Sequence, residues 1–416
     1  MRTMLAFALM LCFTGVAAQR ECTSATYAAR ERSLNKSTEK NILAAEAFIN
    51  HTPLISSAAM ETRTEGSNTI RIPVVIHIVY NTTAQNISDA QVQSQLKVLN
   101  EDFRKRNRDT INTPLRFKPF AADVNIEFVL ATTDPKGRPT TGIIRKKTGV
   151  VDWGMDDKIK YNSFGGDDGW DSKSYLNIWV GNTRKILGYS SVLGGASDKD
   201  GVVINTTAFG TINTAQPYHL GRTAVHEIGH WLGLKHIWGD APCGDDGVED
   251  TPPQASYTTG CPTDFRSSCT NGSLGDMYMN YMDFTNDACL NLFTEGQKQL
   301  MRNAFNYGGP RASLLNSKGL GEPYLLEASL PIEEVAVKQI TLYPNPATTD
   351  ISINFNGDIS WIKKELSLIN SNGATVLRFE VSGTTQKINL SNLKPGVYMV
   401  HGENEGKKIA QKFIKL

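Results

Sequence analysis

An α/β domain followed by a small β-sandwich is what the apolar pattern of this 416-residue chain predicts. The run from Ile72 to Tyr80 is too uniformly apolar for a strand with one face in water, so it belongs inside a covered sheet. Val92, Leu96, Leu99 and Phe103 recur at helical spacing and offer one helix face to that sheet. After residue 320 the composition shifts to short alternating segments separated by turn residues, the pattern of a small sandwich.

Met1-Arg2 precedes an apolar run from Met4 to Phe13 and the small residues Thr14-Gly15-Val16-Ala17-Ala18. Residues 1–18 therefore read as a secretory signal peptide. The run is too short for a permanent membrane span, and no later stretch is long and apolar enough. Residues 19–65 are polar, with a helix near Glu39–Ile49, and read as a prosegment. The main domain is expected over 66–318. Its first strand, Ile72–Tyr80, leads to a helix capped by Ser88 or Asp89. Further strands are expected at Val124–Ala131, Leu176–Gly181 and Val202–Asn205, and a helix from Arg222 to Leu234. A last helix starts at Thr294 with Gln297 as its capping-box partner, burying Leu300, Met301 and Phe305. Residues 319–336 read as a linker. The sandwich, 337–416, has strands around Ile340–Tyr343, Ile351–Phe355, Leu366–Ile369, Val376–Phe379 and Gly396–Val400, with turns at Asn356-Gly357, Ser371-Asn372-Gly373 and Lys394-Pro395-Gly396.

The formal net charge of +1 gives no reason to invoke nucleic acid or an anionic membrane as a partner. Hydrophobic residues make up 40% of the chain, enough for a sizeable core.

Chemistry concentrates in one stretch, His226-Glu227-Ile228-Gly229-His230-Trp231-Leu232-Gly233-Leu234-Lys235-His236. On a helix, His226 and His230 leave the same face one turn apart. A helix continuing past Gly233 would carry the next residues away from that face. Gly233 can take the left-handed conformation that ends a helix, so the chain can turn and bring His236 back as a third ligand. Three protein ligands leave a fourth tetrahedral position on a zinc ion for water, and Glu227 can accept that water's proton as general base. Of the 7 histidines in the chain, three fall at these spacings. His77, inside the apolar run, and His219 are better read as hydrogen-bonded structural residues.

The motif resembles that of the metzincin metalloproteases, which implies an α/β catalytic domain with a twisted sheet, a backing helix and an active-site helix. That clan carries a methionine-containing turn beneath the metal, and Tyr278-Met279-Asn280-Tyr281-Met282-Asp283-Phe284 fits it, with Met282 as the turn methionine. The run Asp246-Gly247-Val248-Glu249-Asp250-Thr251-Pro252, then Cys261-Pro262, Asn280-Tyr281-Met282-Asp283 and Cys289, resembles the pappalysin branch over roughly residues 70–310. Tyr343-Pro344-Asn345-Pro346-Ala347, Leu393-Lys394-Pro395-Gly396-Val397-Tyr398 and Lys412-Phe413-Ile414-Lys415-Leu416 resemble the C-terminal sorting domain of the type IX secretion pathway. The chain is thus expected to be secreted or held on a bacterial cell surface, with a type IX-like secretion machinery as one partner and protein or peptide substrates as the others.

Signal removal leaves five of the six cysteines, and the four around the motif are expected as disulfides in an oxidising compartment. Sequence alone allows three pairings; the family resemblance implies Cys243 with Cys269 and Cys261 with Cys289. Cys22 is the odd one, and Arg20-Glu21-Cys22 resembles the thiolate switch by which a prosegment occupies the water position on zinc; the alternative is an incidental thiol. Asp240, Asp245, Asp246, Glu249 and Asp250 crowd the following loop, either as a solvated acidic loop or as a calcium cage. The branch resemblance implies calcium, with Asp246, the Glu249 carbonyl and Thr251 as ligands. It also implies a preference for a basic residue just after the cut, for which Asp287 is the candidate reader; a turn carboxylate is its other reading. A catalytically silent surface binding protein with a structural zinc is the alternative from another class, and the intact Glu227 argues against it.

Many metzincins carry a tyrosine two residues after the turn methionine, a donor to the developing oxyanion; this chain has Phe284. Losing one such donor costs roughly 3–4 kcal/mol. Phe284→Tyr is therefore expected to raise kcat on a peptide substrate, and an unchanged or lower value would contradict that.

Overall fold

The computed structural model describes residues 23–51, 69–184, 186–323, 340–371, 373–404 and 407–416. The chain forms two compact units, Met1–Leu325 and Leu326–Leu416.

The first unit is built on a six-stranded sheet. Strand β1 (Ile70–Tyr80) lies within it, parallel to β2 (Ile126–Leu130) and β3 (Ile143–Lys147) along one edge and to β4 (Leu176–Gly181) along the other. Next to β4 comes β6 (Val202–Asn205), and outermost is the short β5 (Gly188–Ser190), antiparallel to β6. The unbroken apolar run in β1 has a simple cause. Ile72, Val74, Ile76 and Ile78 enter the main core, while Val75 and Val79 enter smaller clusters with Tyr175 and with Trp179 and Val203. Successive side chains leave opposite faces of a strand, so both faces of β1 are covered.

Helix α3 (Asp89–Asp102) starts at Ser88, whose hydroxyl accepts from the Gln91 amide (3.1 Å), and lays Val92, Leu96 and Leu99 on the main core. Helix α4 (Arg222–Trp231) carries the histidine motif. Helix α5 (Glu295–Asn303) has the expected reciprocal cap: Thr294 Oγ1 accepts from the Gln297 amide (3.1 Å), and Gln297 Oε1 accepts from the Thr294 amide (3.0 Å).

Some expectations need correction. Residues 23–51 hold the expected helix near Glu39–Ile49 as α2 (Lys36–His51) and a further helix before it, α1 (Ser24–Leu34). Ala45 and Ile49 of α2 join the main core, so this segment packs as part of the unit. α4 stops at Trp231 instead of reaching Leu234. Strands β3 and β5 were not foreseen, because β3 is polar and β5 is three residues long.

The second unit is a pair of antiparallel sheets. One is ordered β10 (Thr375–Glu380), β9 (Glu365–Asn370), β12 (Gly396–Asn404), β13 (Lys407–Lys415); the other is β11 (Thr385–Asn389), β8 (Asp350–Asn354), β7 (Thr341–Tyr343). Ile351, Ile353, Leu366, Leu368, Val400 and Phe413 fill the space between them. Inward and outward residues alternate along β8 and β12, as a two-layer sandwich demands.

Candidate active site

Helix α4 lies against β5 and β6, and all its residues but His230 are buried. Its start is pinned by Arg222, which pairs with Asp102 (3.3 Å) and Asp109 (2.6 Å) and donates to the Asp287 carbonyl (2.6 Å). At its end the chain reverses. Gly233 has φ +100°, its amide donates to the His230 carbonyl (2.9 Å), and the Leu234 amide donates to the Gly229 carbonyl (3.0 Å). This is a glycine-terminated helix end, and it returns the chain towards the metal face.

His236 is thereby brought to His226 and His230. The Nε2 atoms of His226 and His236 each lie 3.1 Å from Nε2 of His230. Zinc–nitrogen bonds of about 2.0–2.1 Å in a tetrahedron place ligand nitrogens about 3.3 Å apart. The donor set therefore fits zinc, and among the described residues it is the one cluster of three or more candidate ligands. Each Nδ1 faces an acceptor. His226 Nδ1 donates to the Tyr281 carbonyl (2.7 Å), His230 Nδ1 to the Leu234 carbonyl (2.8 Å) and His236 Nδ1 to the Asp240 carboxylate. An acceptor on Nδ1 fixes the tautomer that leaves the Nε2 lone pair for a metal. Burial, and then the neighbouring His236, push the His230 imidazole down to about 3, so it stays neutral.

Met282 is fully buried under the helix, and a Cβ on Gly229 would lie 2.5 Å from its sulfur. The helix can rest on the methionine turn only because residue 229 has no side chain. Phe284 packs edge-on to His236 (4.9 Å between centroids) and beside Trp238 (4.9 Å) and Tyr257 (5.2 Å). Tyr257 brings a phenol to this wall, and no sequence signal marks it.

Glu227 is fully buried, and its Oε2 accepts a hydrogen bond from Ser24 Oγ (2.8 Å). The same oxygen of Ser24 accepts from the Ser190 amide on β5 (3.0 Å). The first turn of α1 thus lies on the Glu227 carboxylate, a contact invisible in the sequence because it spans 203 positions. Cys22 lies outside the described residues.

The remaining sequence-derived residues fall as follows. Disulfides join Cys243 to Cys269 and Cys261 to Cys289, closing spans of 26 and 28 residues. Chain-entropy arguments give such spans about 3–4 kcal/mol of stabilisation each. Asp246 and Thr251 are buried and bonded to each other (2.8 Å), while the Glu249 side chain is exposed. Asp240 belongs with His236 rather than with those acidic residues, and its φ of +57° is what aims its carboxylate back at the ring. Asp287 is buried, with Oδ2 accepting from the amides of Leu220 (2.9 Å) and Arg222 (3.3 Å) at the start of α4. His77 is a buried structural residue, hydrogen-bonded to Asp167 (2.7 Å) and Asn177 (3.1 Å).

Comparison with known proteins gives a consistent set of relatives. The pregnancy-associated plasma protein-A family matches residues 160–306, and the secretion system C-terminal sorting domain matches residues 341–416. An extracellular metalloprotease of Pyricularia oryzae is 32% identical over 260 residues, covering 60% of this chain and 80% of that protein. Mature mirolysin of Tannerella forsythia, solved with a cleaved peptide, is 48% identical with a TM-score of 0.59, over 60% of this chain and 96% of that one. A mutant of promirolysin from the same organism is 44% identical with a TM-score of 0.64, over 71% of this chain and 97% of that one.

Because Asp240 sets the orientation of His236, Asp240→Asn should weaken zinc binding roughly 10–100-fold, the usual cost of losing such a partner. Competition with a chromophoric chelator measures this, and wild-type affinity in the variant would contradict it.

Proposed function

We propose that this chain, which belongs to the pregnancy-associated plasma protein-A family of metalloproteases, cuts peptide bonds with His226, His230 and His236 holding zinc and Glu227 as general base. It is a secreted zinc metalloendopeptidase of the metzincin type, made as a zymogen. The observation that carries the assignment of residues is the convergence of three Nε2 atoms beside a buried glutamate. Zinc bound there would polarise the scissile carbonyl and lower the pKa of a coordinated water towards about 7. Glu227 takes a proton on its carboxylate and later delivers it to the leaving amine. The helix holds it one residue from the first ligand. A binding protein with a structural zinc is not favoured, since such a site needs no carboxylate beside the metal.

The prosegment keeps the enzyme silent by covering Glu227, and Ser24 makes the contact. The longer match to promirolysin than to mature mirolysin, 71% against 60% of this chain, agrees with a removable N-terminal segment. Cys22, two residues before Ser24, is the proposed thiolate switch. Met282 supports the helix from below. Residues 341–416 are proposed to deliver the enzyme through a type IX-like secretion machinery.

Asp287 is proposed to read a basic residue after the cut. It is a buried carboxylate beside Pro217 at the start of α4. Calcium is proposed among Asp246, the Glu249 carbonyl and Thr251. Burial pushes the Asp246 carboxyl up to about 7, despite hydrogen bonds from Thr251 and the Val248 amide. A cation among these oxygens would favour its charged form.

Three outcomes follow. Glu227→Gln should lower casein hydrolysis by about a thousandfold or more with zinc still bound; substantial hydrolysis by zinc-loaded variant would refute the general base. Asp287→Asn should reduce the kcat/KM ratio of arginine over alanine after the cut by on the order of tenfold; a preserved ratio would remove Asp287 from specificity. Calcium returned to stripped, zinc-reloaded enzyme should raise Tm by about 3 °C or more, and no shift would remove calcium from the account.

A further inference from the structure

We propose that the pocket now filled by Tyr27 becomes, once the prosegment has left, a substrate subsite that takes a tyrosine side chain. The inference rests on the zymogen reading, in which residues 23–51 depart on activation.

Helix α1 straddles the free edge of the sheet. Ser24 meets Glu227 on one side of β5. A Cβ on Gly188 would lie 2.9 Å from Glu227 Cγ, so residues 188 and 190 of β5 face the catalytic helix. Tyr189 between them faces the other way. Tyr27, one turn after Ser24, packs on that far side against Tyr189, with ring centroids 5.3 Å apart. It is 1% exposed and joins a cluster with Trp153 and Trp179.

The pocket recognises more than an aromatic ring. The Tyr27 hydroxyl donates to Asp157 Oδ2 (2.9 Å). The ammonium groups of Lys160 and Lys199 lie 5.5 and 5.7 Å from the ring centroid, within cation–π range. Lys160 is itself fully buried, held by Asp157 Oδ1 (3.0 Å) and the Lys199 carbonyl (2.8 Å). Asp157 also takes Lys199 (3.1 Å). From α1 itself, Arg30 and Glu31 close the outer rim, through Arg30 to Asp157 (3.1 Å) and Lys199 to Glu31 (2.8 Å). Everything else belongs to the part of the chain that stays.

Removal of α1 therefore exposes an aromatic wall, two ammonium groups and an acceptor that has lost its phenol. No strand pairs with the outer edge of β5 among the described residues. An extended peptide added there sends alternate side chains to the two faces of the sheet. One set points towards Glu227, and a neighbour reaches the vacated pocket. Phenylalanine would fill the ring space but remove the phenol's hydrogen bond from Asp157 Oδ2, leaving that oxygen one donor fewer beside Lys199 (3.1 Å), so the pocket favours tyrosine over phenylalanine.

The test uses the full chain, allowed to process itself, with N-terminal sequencing of the active product. Quenched fluorescent peptides carry a single tyrosine or phenylalanine moved through successive positions on both sides of the cut. At one position kcat/KM for tyrosine should exceed that for phenylalanine by at least about tenfold, and Asp157→Asn should bring that ratio towards one. Should Asp157→Asn fail to fold, Lys199→Gln is expected to lower the preference for tyrosine over leucine at the same position. A ratio near one at every position in the wild-type enzyme, or a ratio that survives both substitutions, overturns the subsite. An active product that still begins before Ser24 overturns the zymogen reading, and with it the vacated pocket.

Discussion

Everything in the catalytic unit serves one geometric requirement: two imidazole nitrogens from one helix and a third from the chain beyond it must meet within 4.8 Å of one another. Two of them cost little, since a helix places residues four apart on one face. The third depends on the left-handed turn at Gly233, which reverses the chain within three residues. That turn is packed as well as permitted. A Cβ at Gly233 would lie 2.4 Å from Ile49 of α2 and 3.2 Å from Leu193 beyond β5, so a side chain there would displace Ile49 as well as strain the backbone.

Around this point the fold provides support from several directions. The Tyr281 carbonyl and Met282 tie the methionine turn to the first ligand and to the helix. Asp240 orients the third ligand. The two disulfides fasten the long loop between the ligands and that turn, a stretch with few regular elements of its own. Sheet edge β5 runs beside Glu227, and α1 docks on both through Ser24.

The parts of this arrangement that depend on local spacing were legible in the sequence. Val92, Leu96 and Leu99 at helical spacing, the Thr294–Gln297 cap and the histidine motif each occupy one short window, and periodicity or a fixed offset reveals them. Asp240 is one acid among several in the sequence, since its pairing with His236 depends on a positive φ that an acidic residue does not announce. β5 escaped because three residues, Gly188-Tyr189-Ser190, carry no usable alternation. The contacts of Ser24 with Glu227 and of Tyr27 with Asp157 span 203 and 130 positions, and only the folded chain brings them together.

Zinc-edge X-ray absorption on the activated enzyme tests the central claim most directly. The account predicts a first shell of three imidazole nitrogens and one oxygen at about 2.0–2.1 Å, reduced to two imidazoles when residue 236 is alanine. A shell with fewer than three imidazoles in the wild-type enzyme, or one unaltered by His236→Ala, would contradict it.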